Sequence, residues 1–85
     1  MMKLRMKYFA QLREQLGCEQ EDLMVGEPVA VASLIEQLRG RGGDWAQVLS
    51  GQERICVAVD QQMVPLSHEL RGDAEVALFR PVTGG

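Results

Sequence analysis

The chain has only two cysteines, Cys18 and Cys56, and a single histidine, His68. Their spacing makes no metal-ligand set, so no metal is expected. Neither thiol has a base beside it in sequence, which weighs against a catalytic cysteine. Cys56 falls in an apolar pattern and reads as core or near-core, whereas Cys18 follows Gly17 in a turn. His68, in Pro65-Leu66-Ser67-His68-Glu69-Leu70, reads as a surface loop residue. No apolar run approaches membrane-spanning length, and the start, Met1-Met2-Lys3-Leu4-Arg5-Met6-Lys7, lacks the apolar core of a signal peptide. A cytoplasmic protein is expected, away from membranes, and in that compartment a disulfide is not. Basic residues are not in surplus: the net charge is −3, which argues against nucleic acid as a partner. There is no repeat, linker or low-complexity segment. Gly40-Arg41-Gly42-Gly43 follows a helical pattern instead of opening one after a strand, so it is a helix stop and not a phosphate loop.

At 85 residues, 46% hydrophobic and 25% charged, the chain suffices for one domain with one core. It is too short for a cofactor-filled cleft with its own lid. Such a chain acts more often through a partner than as an independent enzyme.

Met2, Leu4, Met6 and Tyr8 alternate with Lys3, Arg5 and Lys7, predicting a half-buried strand. Phe9 either continues the pleat on the outward side or opens a short helix through Leu16, with Gly17 as its stop. Glu19 to Val25 predicts a second strand, and Gly26-Glu27-Pro28 a turn. Val31, Leu34, Ile35 and Leu38 follow the helical template, so residues 31–39 form the main amphipathic helix, with Ala30 as a poor N-cap. Asp44 is suited to cap a further short helix bearing Trp45, Val48 and Leu49 on one side. Residues 54–60 form a strand apolar on both faces, which belongs near the middle of a sheet. Met63 to Leu66 reads as a short edge segment halted by Pro65, residues 70–73 as a turn, and Glu75 to Phe79 as the last strand.

After that strand come Arg80-Pro81-Val82-Thr83-Gly84-Gly85. Pro81 stiffens the base of this arm and cannot donate a ladder hydrogen bond, so the strand should end near Arg80. Glycine lets a backbone thread a channel that any Cβ would block, and six extended residues reach roughly 20 Å. By composition alone a Gly-Gly end arises in roughly one chain in 200, so its weight depends on what precedes it. Two strands, a helix, then two or more strands give an α+β domain, a mixed four- to five-stranded sheet packed by one face on the main helix. With Val76 and Leu78 inward, Phe79 joins Phe9 and Met63 on the open face, where grouped apolar residues suggest a protein contact.

These residues resemble the small, sulfur-carrier subunit of molybdopterin synthase, a ubiquitin-like β-grasp family. The likeness is carried by residues 9–17, Phe-Ala-Gln-Leu-Arg-Glu-Gln-Leu-Gly, and by residues 70–85, ending Phe79-Arg80-Pro81-Val82-Thr83-Gly84-Gly85. It implies a β-grasp domain over residues 1–79 and a flexible tail over 80–85. It also implies a non-catalytic carrier, with the catalytic side chains on a large synthase subunit in a heterotetramer. Gly85 would be the reactive terminus, adenylated with ATP by a ubiquitin-activating-like adenylyltransferase. A sulfur donor of cysteine desulfurase or rhodanese type would then convert it to a thiocarboxylate, which gives its sulfur to cyclic pyranopterin monophosphate. The carrier itself would bind no cofactor. Gly84 would be the slender spacer and Arg80, Pro81, Val82 and Thr83 the inserted arm. Phe9, Met63 and Phe79 match the family's contact surface, with Arg13 near it. Where the family often has a second proline this chain has Arg80, which should loosen the arm's base and leaves the guanidinium free to pair with an acidic group of a partner. The alternatives are a carrier for thiamine or cysteine synthesis, a ubiquitin-like modifier, and a plain interaction domain.

Overall fold

The computed structural model describes residues 1–51 and 54–81. The N-terminal alternation becomes strand β1 (Met2–Tyr8), whose Met2, Leu4, Met6 and Tyr8 are all buried. Phe9 realises both of its readings: its backbone stays extended, at φ −115° and ψ 151°, and it is the N-cap of helix α1 (Ala10–Leu16). Gly17 closes that helix in the left-handed region, at φ 66°, with its N–H donating to the Arg13 carbonyl, a conformation that favours glycine. Strand β2 (Gln20–Val25) then returns antiparallel to β1.

Strand β3 (Val29–Ala30) leads into the main helix α2 (Val31–Arg39), which buries Val31, Leu34, Ile35 and Leu38. Burying each of these side chains stabilises the fold by about 1.5–3 kcal/mol. Ala30 is the N-cap, as read, and offers no side-chain hydrogen bond. The loop at 66–68 supplies what a capping side chain would: the N–H of Val31 donates to the His68 carbonyl and that of Ala32 to the Leu66 carbonyl, both at 2.9 Å. The short helix α3 (Gly43–Val48) is capped by Gly42 at φ 77°. Asp44, expected as the cap, instead lies in the first turn, where its charge favours the positive helix end.

The remaining strands are β4 (Cys56–Val59), β5 (Gln62–Val64), β6 (Glu69–Leu70) and β7 (Ala74–Phe79). Among the described residues, five of the seven strands form a mixed sheet in the order β2-β1-β7-β4-β5, with β1 and β7 parallel and the other pairs antiparallel. The central strand is thus β7, and the doubly apolar β4 lies one place from the edge. β4 is also shorter than residues 54–60, with Arg54 outside it. A second, two-stranded sheet pairs β3 with β6, so Leu70, read as a turn residue, is buried. Among the described residues no helix is long and apolar enough to cross a membrane.

The helices cover one face of the five-stranded sheet, where Val57, Val76 and Leu78 join the buried side chains of β1 and α2 in the core. The other face is open.

Candidate functional site

The open face divides by chemistry. Toward one end stand charges: Arg5 faces Asp22 at 3.7 Å and Lys7 pairs with Glu75 at 3.0 Å. Toward the other, Phe79 of β7 is in register with Cys56, and Ala77 with Ala58, which in turn faces Met63 of β5. Phe9 joins this apolar end because it follows Tyr8, which is in register with Leu78, and its N–H donates to the Leu78 carbonyl at 3.2 Å. Phe9 and Met63 are 46% and 62% exposed, large values for apolar side chains on a small domain. Phe9, Met63 and Phe79 therefore lie on the same face, Phe9 next to the end of β7 and Met63 two strands from it. Arg13 sits close by, sharing with Lys7, Phe9 and Glu19 the wall of a shallow depression of about 110 Å³ and facing Glu19 at 3.9 Å.

The arm departs from the same end. β7 finishes at Phe79, as expected, and begins one residue earlier than Glu75, at Ala74. Arg80 turns inward: its Nη2 donates to the carbonyl of Val48, the last residue of α3, at 2.8 Å. One nitrogen of the guanidinium expected to meet an acidic group of a partner is thus engaged within the chain. Gln11, Arg54, Arg80 and Pro81 line a cavity of about 440 Å³ at the arm's root. Val82, Thr83, Gly84 and Gly85, expected as the inserted arm, spacer and reacting terminus, lie outside the described residues.

One polar cluster escaped the sequence reading. On the covered face, Tyr8 donates to Glu21 Oε2 at 2.7 Å, and Arg41 grips both Glu21 oxygens at 2.8 and 2.9 Å. The Arg41 guanidinium lies 4.4 Å from the centroid of Trp45, whose ring meets Tyr8 edge-on at 5.3 Å. Burial, then the hydrogen bond to Glu21, pushes the Tyr8 phenol well above its ordinary range. Burial alone would raise Glu21, but hydrogen bonds from Arg41 and Tyr8 outweigh it and hold the carboxyl below its usual range. Nearby Cys18 is pushed up, first by burial and then by the Glu21 charge, which disfavours the thiolate a nucleophile needs. The cluster is a clasp between sheet and helices. Its signal in the sequence was Tyr8 itself: a tyrosine in a core position needs a partner for its hydroxyl.

The β-grasp arrangement, a mixed sheet folded around α2 with β1 and β7 parallel at its centre, puts the protein among ubiquitin-like domains. Within that class, the chain belongs to the ThiS family, which it matches over residues 6–85. It is 34% identical to the molybdopterin synthase sulfur carrier subunit of Haemophilus influenzae, over 96% of this chain and 99% of the relative. Against the Escherichia coli protein of the same name the identity is 33%, with 96% and 99% covered. Among solved structures, a Pyrococcus furiosus protein provisionally named molybdopterin converting factor subunit 1 superposes with a TM-score of 0.77 at 25% identity, covering 96% of this chain and all of that one.

Proposed function

We propose that this chain is the sulfur carrier of molybdopterin synthesis, a subunit whose own C-terminus is the group transferred upon. The observation that carries this reading is the shared origin of arm and contact surface: the chain leaves β7 at Phe79, on the same open face as Phe9 and Met63. A partner seated on that face receives the arm without further search. The names of the relatives, each a sulfur carrier subunit of molybdopterin synthase, support the same role.

The chemistry follows from what a carboxylate lacks. It is a poor electrophile, so a separate ubiquitin-activating-like adenylyltransferase activates Gly85: the carboxylate attacks the α-phosphorus of ATP and pyrophosphate leaves. The outer sulfur of a persulfide on a desulfurase- or rhodanese-type donor then attacks the acyl carbon and displaces AMP, and a thiol cleaves the resulting acyl disulfide, becoming oxidised to a disulfide as the thiocarboxylate is released. Gly84 and Gly85 carry no side chain to obstruct passage into a narrow site. In the large synthase subunit the terminal sulfur attacks cyclic pyranopterin monophosphate. This chain is a cosubstrate there, and the catalytic side chains belong to the large subunit.

Intact mass spectrometry tests the reading. The protein is incubated with ATP, an adenylyltransferase and a sulfur donor under conditions that load a related carrier. The expected product has one oxygen replaced by sulfur at Gly85; an unchanged mass would count against the carrier role. A residue added after Gly85 should abolish loading with the fold intact. Copurification with a molybdopterin synthase large subunit supports this pathway, whereas thiazole synthase or a ladder of lysine conjugates would redirect the assignment.

A further inference from the structure

We propose that Arg80 is a positioning residue that fixes the direction in which the C-terminal arm leaves the domain, by tying the chain between β7 and Pro81 to the open end of α3. The carrier reading is needed only for what the aimed arm does, not for the aiming.

α3 has no basic residue in its last turn, so its terminal carbonyls and the negative end of its dipole lack a local cation. Arg80 supplies one from 32 residues away, with Nη2 at 2.8 Å from the Val48 carbonyl. The contact is partly buried, and Arg80 Nε is shielded from solvent with no acceptor among the described residues. An arginine free to swing in water would not leave that nitrogen buried. A charge-assisted hydrogen bond in such a place is stronger than a neutral one. α3 itself is anchored through Leu49, which is fully buried, and through Trp45 and Val48 packed against the core.

The consequence concerns the arm. β7 stops at Phe79 and Pro81 fixes its own φ, leaving residue 80 as the pivot between the sheet and the proline at the root of the arm. Holding the side chain of that pivot on α3 limits its rotation. An arm already aimed loses less freedom when it enters a partner, which favours association more than chemistry.

Two measurements test this. The first needs no partner: in nitrogen-15 relaxation, Arg80 Nε–Hε of the wild-type protein should be as ordered as the sheet backbone and exchange slowly with water. Averaging like that of the exposed Arg5 would overturn the proposal. The second compares loading kinetics of Arg80→Ala and Arg80→Pro, both checked by thermal melting. Arg80→Ala should raise the KM for the carrier about three- to tenfold with kcat unchanged. Arg80→Pro should return KM to near the wild-type value, because a ring at the pivot restricts φ without any guanidinium. An unaltered KM in Arg80→Ala overturns the clamp. A folded Arg80→Pro as impaired as Arg80→Ala does so as well, since it means that a partner needs the charge. If the wild-type protein is not loaded at all, the carrier reading fails while the relaxation result still decides on the clamp; the same result decides should Arg80→Pro not fold.

Discussion

Tyr8 and Glu21 meet across the β1–β2 boundary, phenol to carboxylate at 2.7 Å, while Arg41 holds the same carboxylate from the helix side. Two strands and the turn between α2 and α3 thus meet at one partly buried anion. Tyr8→Phe removes a single donor and leaves Glu21 paired, so it should cost about 1 kcal/mol. Arg41→Ala also removes the contact with Trp45, and should cost about 2–3 kcal/mol by losing a charged hydrogen bond and a cation–π contact. The two changes touch one network, so the double mutant should depart from additivity by at least about 0.5 kcal/mol. Urea unfolding of the four proteins checks this; strict additivity would show that the clasp does not act as a unit.

The same clasp sets limits on stability at both ends of the pH scale. Glu21 has its pKa depressed in the folded state, so below about pH 4.3, the ordinary glutamate value, the unfolded chain binds more protons and stability falls as pH falls. Tyr8 has its pKa raised, so above about pH 10 the unfolded phenol ionises while the folded one does not, and stability falls as pH rises. Glu21→Gln should flatten the acid limb and Tyr8→Phe the alkaline limb of a plot of unfolding free energy against pH. Limbs unchanged by both substitutions would assign the dependence to other groups.

Asp60 closes the ladder between β4 and β7 twice over. Its N–H donates to the Glu75 carbonyl at 2.9 Å, and its Oδ1 accepts from the Glu75 N–H at 3.0 Å. It does so at φ 48°, followed by Gln61 at φ 70°, the paired positive angles of a tight two-residue hairpin. Asp60→Asn keeps both the acceptor and tolerance of this conformation, and should melt within about 2–4 °C of wild type, a shift of about 0.5 kcal/mol or less. Asp60→Ala loses the acceptor and adds left-handed strain, and should cost about 2–3 kcal/mol. Asp60→Gly should fall between them, since glycine relieves the strain alone. Thermal melting that failed to separate Ala from Gly would remove backbone strain from this account.

How much of this was legible beforehand depended on whether a feature repeats. Met2 to Tyr8 and Val31 to Leu38 announce their elements because burial of one face imposes a period of two or 3.6. β3 and β6 are two residues each, too short to show any period, and so their pairing and the burial of Leu70 went unread. The α3 start was misplaced by a side-chain rule: Asp44 looks like a cap, but Gly42 adopts the backbone that a cap position required here. Phe9, Met63 and Phe79 could be grouped by alternation once the strands were assigned. Arg80 could not be placed, because its acceptor is a backbone carbonyl on a helix 32 residues earlier; only the docking of α3 on the core brings the two together.

The open face offers the sharpest test of the docking role, because it carries its own control. Met24 and Met63 are similarly exposed, at 58% and 62%, but Met24 pairs with Lys3 on the β2 edge, whereas Met63 faces Ala58 beside the Phe79 end. Replacing either by aspartate leaves a solvated side chain solvated, so each should alter stability by no more than about 0.5 kcal/mol. If a large synthase subunit seats on the apolar end, Met63→Asp buries an unpaired charge in the interface and should weaken association by about 2 kcal/mol or more, roughly 30-fold. Phe79→Asp should do at least as much. Met24→Asp should bind as wild type does. Calorimetric titration of the large subunit against the three variants decides the matter: equal losses at Met24 and Met63 would point to a general charge effect, and no loss at Met63 would move the contact surface elsewhere on the domain.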